Sequence, residues 1–415
     1  MKTVKRVLAA TLAVVLILQV PAYAASFKAH RGLNLDQWNI WPQESDWGRR
    51  NVLLPYPEWR RTMDADDIAL LRESGFDFVR MPVDPLPFLS RRSRHLREKL
   101  LASIADGVDF LTGNGMKVIV DLHPIPRGQD RFAGVEEILA DENLFGQYLD
   151  LVADLAQTLG GKSPETVAFE LMNEPVMGCE GEDARRWNTL LTRLHETARK
   201  AAPETTLVLN GACWGSAEGL AALDPDAFDD ENLIWGFHSY APYILTHQGA
   251  LWAGDFIKYV TGIPYPPHEH EAQFAEAVEA AKARIAENAP VLRKNGMLAY
   301  LDELLAEIDT PEKLTAMINA PFKIVDAWAA EHGIASDEII LSEFGMIRQE
   351  YGNPYVMEAQ WRADFTRDVT RLAEERGYAW ALWGYGGAFG TVEAFGGEKA
   401  EPNILDMVKS LPPVQ

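Results

Sequence analysis

Eight short apolar runs recur along this chain, at residues 29–33, 76–81, 117–122, 167–171, 206–209, 233–238, 339–343 and 378–383. Amphipathic stretches such as 64–74, 96–112, 144–159, 183–201 and 358–375 separate them. Regular alternation of this kind marks parallel βα units, because two parallel strands need a long crossover and a helix is the usual one. Eight such units close into a (β/α)8 TIM barrel, so an α/β barrel forming a single domain over 25–415 is the expected fold. A chain of 415 residues lies within what one such barrel accommodates with insertions. One spacing is irregular: from Tyr240 to Ile339 the chain is far longer than one crossover demands. A long helical insertion is therefore expected between strands 6 and 7, at about 247–335. It contains Trp252, Tyr259 and the Pro-rich Ile263-Pro264-Tyr265-Pro266-Pro267, with helical patterns at 269–287 and 311–331.

Residues 1–24 read as an address. Lys2, Lys5 and Arg6 precede an apolar stretch, 7–20, that is shorter than the roughly 20 residues a spanning helix needs. An Ala-x-Ala site follows at Ala22-Tyr23-Ala24. A cleaved signal peptide is expected, giving a secreted or periplasmic protein without a membrane anchor. Lys and Arg total 39 against 61 Asp and Glu, a net charge of −22. Such a surface repels nucleic-acid phosphates and anionic lipid, whereas a neutral polymer is indifferent to it. The two cysteines, Cys179 and Cys213, either pair in an oxidising compartment or serve as small apolar side chains.

Polar and aromatic residues repeatedly close the apolar runs, at the ends where a barrel of this type keeps its chemistry. Arg80 closes Phe78-Val79-Arg80, His123 closes Val120-Asp121-Leu122-His123, His238 and Tyr240 end the sixth run, and Trp383 ends the eighth. Two motifs carry carboxylates: Glu170-Leu171-Met172-Asn173-Glu174-Pro175 and Leu341-Ser342-Glu343-Phe344-Gly345. Glu174 and Glu343, facing each other across one pocket, would be the minimum equipment for cleaving a glycosidic bond.

The ordered set Arg80, His123, Asn173-Glu174-Pro175, His238-x-Tyr240, Glu343-Phe344-Gly345 and Trp383 resembles glycoside hydrolase family 5, the cellulase-type retaining barrel glycosidases. The likeness runs from Arg31-Gly32-x-Asn34 to Trp383, and departs where many members carry a second histidine after the one ending strand 3, since here Pro124 follows His123. The resemblance implies Glu174 as acid/base and Glu343 as nucleophile of a double displacement that retains configuration. Burial and the charge of Glu343 are expected to raise the pKa of Glu174. Arg80 and Tyr240 would support Glu343, Asn173 would donate to the sugar 2-OH, His123 and His238 would hold neighbouring groups, and Trp383 would carry a pyranose face. Trp38, Trp41 and Trp214 would extend that platform, and Trp252 or Tyr265 of the insertion would border the cleft. The expected substrate is β-1,4-glucan cut internally, with β-mannan and β-1,3 or mixed-linkage glucan open. Neither metal nor cofactor is expected, and a monomer is. His268-Glu269-His270 has metal-like spacing and defines the alternative of a metal-dependent barrel hydrolase, although it falls in the insertion beside prolines. A carbohydrate-binding barrel without turnover is the non-enzymatic alternative; it would keep the tryptophans and lose a glutamate.

Overall fold

The computed structural model describes residues 26–36, 42–49, 51–128 and 130–414. The expected signal segment and two of the expected platform residues, Trp38 and Trp41, lie outside them. Eight parallel strands form a closed barrel in chain order. They are β1 (Arg31–Asn34), β2 (Phe78–Val83), β3 (Lys117–Leu122), β4 (Val167–Glu170), β5 (Thr206–Asn210), β6 (Leu233–His238), β7 (Ile339–Phe344) and β8 (Ala379–Leu382). Each falls on one of the eight apolar runs. Gly32 of β1 pairs with Phe78 of β2 on one side and with Ala381 of β8 on the other, which closes the ring.

Successive side chains in a strand point to opposite faces, so every second residue enters the barrel. The lower interior is apolar: Phe78, Ile119, Ala168, Val208, Ile234, Ile340 and Ala381 cluster there, and Phe27 plugs the base with its ring edge-on to Phe78 at 6.5 Å. Gly32 makes room for Phe78, since a Cβ there would lie 2.2 Å from the ring. Two residues further along, the same period reads Asn34, Arg80, Asp121, Glu170 and Asn210, all fully buried. The sequence thus stacks a polar layer on an apolar one.

The helices bury one stripe each against the outside of this ring. Gly181–Ala201, for example, buries Trp187, Leu190, Leu191, Leu194 and Ala198, the three-to-four spacing of an amphipathic helix.

The segment expected as an insertion at 247–335 divides in two. Helix Pro311–His332 starts at a proline, is capped by Thr310 accepting from the Lys313 N–H, and stops at Gly333 with φ 69°. It packs onto β6, Phe322 against Phe237 with ring centroids 5.7 Å apart and Trp328 against Trp235 at 5.4 Å. It is therefore the ordinary crossover helix of the sixth βα unit, and the added segment ends before Pro311. That segment carries Glu271–Asn288 and a further helix, Lys294–Ala306, whose narrow buried stripe of Met297, Leu301 and Leu305 left little periodic signal. Tyr265, expected at the cleft, is buried instead: its hydroxyl donates to Asp368 at 2.6 Å and its ring meets Phe365 edge-on. The Pro-rich turn folds it onto helix Ala359–Glu374.

Candidate active site

Arg80 rises from β2 into the polar layer with no exposed surface. Its Nε and Nη2 donate to Glu170 at 2.7 and 2.6 Å, Nη1 donates to Glu343 at 2.6 Å and to Asn34 Oδ1 at 2.9 Å, and Nη2 also reaches Asn173 Oδ1 at 2.8 Å. Asp121 Oδ2 lies 2.9 Å from the same Nη2. One guanidinium is thus shared among three carboxylates, a fork geometry that an ammonium lacks.

These contacts orient the next shell. Because Asn173 Oδ1 faces Arg80, its Nδ2 faces His123 Nε2, at 3.2 Å. Burial is the main cause lowering the His123 pKa to about 4, so the ring is neutral near pH 7. Its Nδ1–H then donates to Asp121 at 2.6 Å while Nε2 accepts from Asn173. Asp121 itself is raised to about 7, burial outweighing the neighbouring Arg80 charge. The His123 ring also stacks on Trp383, centroids 5.4 Å apart and planes 18° apart.

Glu174 and Glu343 face each other across this pocket. Glu343 follows Ser342, and strict alternation from the inward Ile340 would send its side chain outward. A register shift at Phe237/His238 on β6, and another between Leu341 and Phe344 on β7, re-aims it inward. There it accepts from Arg80 on Oε1 and from the Tyr240 hydroxyl on Oε2 at 3.0 Å. Glu174 sits beyond the end of β4 with φ 37°, and its Oε1 lies 2.9 Å from His238 Nδ1. Glu174, His238 and Glu343 present atoms all within 4.8 Å of one another. The guanidinium already on Glu343 opposes a cation at that point.

The two carboxylates have different surroundings. Glu174 keeps a quarter of its side chain open to the cleft, yet dense protein around the rest raises its pKa to about 7. Burial dominates; His123 and Arg80 oppose the shift and Glu170 adds to it. The expected contribution from the charge of Glu343 is taken by Glu170. His238 is lowered to about 4, mainly by burial, and is neutral near pH 7. Its Nε2 is buried with no partner among the described residues, which favours the proton on Nδ1, since an orphaned acceptor costs less than an orphaned N–H.

A family model described as cellulase (glycosyl hydrolase family 5) matches residues 50–388. The chain belongs to glycoside hydrolase family 5. Its relatives include Endoglucanase 3 of Fibrobacter succinogenes, 22% identical over 79% of this chain and 46% of that protein. Cellodextrinase A of Ruminococcus flavefaciens is 23% identical over 77% of this chain and 84% of that one. Endoglucanase C of Acetivibrio thermocellus is 27% identical over 48% of this chain and 57% of its own length. The chain spans about half the length of the first of these. Among solved structures, Cel5A of Thermotoga maritima in complex with cellobiose superposes with a TM-score of 0.61 at 19% identity, covering 92% of this chain and 97% of that one. The same protein with mannotriose gives 0.61 at 18%, with equal coverage.

In this family 5 chain the structure gathers Arg80, His123, Asn173, Glu174, His238, Tyr240, Glu343 and Trp383 at one end of the barrel. Trp214 reaches the rim: its backbone N–H donates to Pro175 O, the residue is half exposed, and the adjacent Gly215 lies against the His238 ring. Cys179 and Cys213 are joined by a disulfide that ties the loops after β4 and β5. The metal-like histidines lie in the added segment, apart from the strand ends, His270 packing on Trp361 of helix Ala359–Glu374. Asn34 was quoted in the family likeness without a role; residues that sequence reasoning missed are Asp121 and Glu170, with Asn210 beside them. Their signal was present: an Asp or Glu inside an otherwise apolar strand run, in phase with the inward face, needs a buried partner.

Proposed function

We propose that this chain is a retaining β-glycanase acting on β-1,4-glucan internally, with Glu174 as acid/base and Glu343 as nucleophile. The observation that carries the reading is the spacing and unequal surroundings of the two glutamates. One oxygen of each carboxylate lies within 4.8 Å of one on the other, which suits the about 5–5.5 Å carboxyl separation of retaining enzymes. In the first step Glu343 attacks the anomeric carbon while Glu174 protonates the departing oxygen. His238 Nδ1–H holds Glu174 Oε1, which leaves the proton on Oε2 toward the cleft. In the second step Glu174, now a base, activates water to release the glycosyl group from Glu343. Asn173 has a second Nδ2 hydrogen besides the one on His123, the donor we assign to the sugar 2-OH, and Trp383 gives the ring an apolar face. The names of the relatives, endoglucanases and a cellodextrinase, support β-1,4-glucan as the first choice. Export fits the disulfide, because such bonds persist in oxidising compartments.

Soluble β-1,4-glucan, β-mannan, β-1,3-glucan and mixed-linkage glucan, each followed by NMR of the first-formed anomer, test the proposal. Fastest cleavage of β-1,4-glucan with β products is expected. An α anomer formed first would overturn the mechanism, and faster cleavage of another glycan would reassign the substrate.

A further inference from the structure

Among the described residues, three that are not glycine have positive φ: Glu174 at 37°, Cys213 at 59° and Trp214 at 60°. L side chains seldom adopt such a backbone, and where they do the surrounding structure has to hold them there. Here the hold is one set of contacts between the loop after β4 and the turn after β5. Alternate residues of the loop engage the turn: Pro175 O accepts from the Trp214 N–H at 3.1 Å, Met177 O accepts from the Cys213 N–H at 2.9 Å, and Cys179 is bonded to Cys213 through sulfur. The turn then runs directly onto the partner of the acid. Gly215, with φ 67°, faces the His238 ring, where a Cβ would come within 3.3 Å of Cγ and Nδ1, and Ser216 pairs with His238 in an isolated parallel bridge. His238 Nδ1 closes the circuit on Glu174 Oε1 at 2.9 Å.

We infer that the Cys179–Cys213 bond positions the acid/base Glu174, beyond holding two loops together. The inference rests on the β-glycanase reading above. The two glutamates differ in how they are held. Glu343 is gripped from inside the barrel by Arg80 and Tyr240, and Asn173 is anchored by its backbone N–H on Leu122 O and its side chain on Arg80. From Glu174 onward the chain has left the strand, and the carboxyl has His238 as its hydrogen-bond partner. Opening the sulfur bond leaves two backbone hydrogen bonds to keep Cys213 and Trp214 left-handed. Relaxed to ordinary backbone, the turn draws Gly215 away from the His238 ring and Trp214 away from Pro175, so the acid and its histidine shift while the nucleophile stays. A displacement of that kind costs proton transfer, which needs heavy atoms within about 2.6–3.2 Å, and spares attack by Glu343. Both cysteines are half-buried, so a small dithiol reaches them.

The test compares kcat/KM on cellotetraose, whose departing sugar needs a proton, with kcat/KM on 2,4-dinitrophenyl β-cellobioside, whose departing phenolate needs little. Cys179→Ser with Cys213→Ser is expected to lower the ratio of the first to the second about tenfold, a fraction of the roughly 10²–10⁴-fold that general acid–base catalysis supplies, and through kcat rather than KM. Dithiothreitol, which reduces the bond to two thiols and is itself oxidised to a cyclic disulfide, is expected to produce the same fall in the wild type, reversed on reoxidation. Both forms are measured below their melting transition with a native far-UV spectrum, and the reduced wild type carries the test should the double variant not fold. A bond that only stabilises the fold leaves the ratio within about twofold of wild type in the folded, bond-free protein, and that result overturns the positioning role. If the untreated wild type cleaves neither substrate, the β-glycanase reading falls instead.

Discussion

Arg80 holds three carboxylates, Asp121, Glu170 and Glu343, each within 2.9 Å and all buried. Removing it would leave these acids uncompensated, a loss that in buried clusters costs about 3–5 kcal/mol. Arg80→Lys keeps the charge and loses the fork, so it is expected to lower kcat/KM by at least about 100-fold; kinetics read alongside a thermal melt separate that loss from unfolding. Glu343→Ala is expected to abolish turnover and to regain part of it with azide as a glycosyl azide of inverted configuration. Glu174→Ala is expected to keep more activity on substrates with good leaving groups, which need little protonation. An exchange of these behaviours between the two variants would reverse their roles. The raised Glu174 pKa sets a sign on pH dependence: the acid is competent while protonated, so kcat/KM is expected to fall as pH climbs through about 7. In Glu174→Ala that alkaline limb is expected to vanish on dinitrophenyl substrates; persistence would assign it to another group.

At the level of elements, the end of β7 does the most for function. Irregular pairing turns Glu343 into the barrel, and two residues later Gly345 lets the chain pass close to β8, since a Cβ there would lie 2.4 Å from the Trp383 carbonyl oxygen. Gly345→Ala is expected to push the two strand ends apart and to cost at least about tenfold in kcat/KM, measured with a far-UV spectrum that stays native. The strands themselves were legible as apolar runs, because burial on both faces leaves little freedom of composition. The re-aimed Glu343 was not legible as an inward residue from alternation, since an irregularity in pairing depends on both neighbours and leaves no local mark. The helix Pro311–His332 was legible as a helix, but whether it belonged to the ring or to the added segment depended on long-range contacts with Phe237 and Trp235. Tyr265 shows the same limit: a Pro-rich turn announces a change of direction without saying which way the chain turns.

Across the whole molecule, the candidate site exists because six strands bring their ends together; its motif residues and Arg80 were read directly, while its buried carboxylates left only the weaker signal of a charge inside an apolar run. Glu174 and Glu343 stood out in motifs; Asp121 and Glu170 looked like ordinary charges until the barrel placed Arg80 between them. The Cys179–Cys213 bond crosses from the fourth βα unit to the fifth, with a sequence separation of 34. In the chain-entropy account a loop of that length is stabilised by about 3–4 kcal/mol. Cys179→Ser with Cys213→Ser is expected to lower the denaturant midpoint accordingly, and an unchanged midpoint would show the bond to be energetically idle. The same bond has another consequence. A single proteolytic cut at Pro203 or Glu204, exposed between helix Gly181–Ala201 and β5, would leave two half-barrels of four strands each, one holding Glu174 and the other Glu343. The bridge spans that cut, so the nicked enzyme is a tethered pair whose turnover counts reunited halves, and a reductant becomes the key that lets them part.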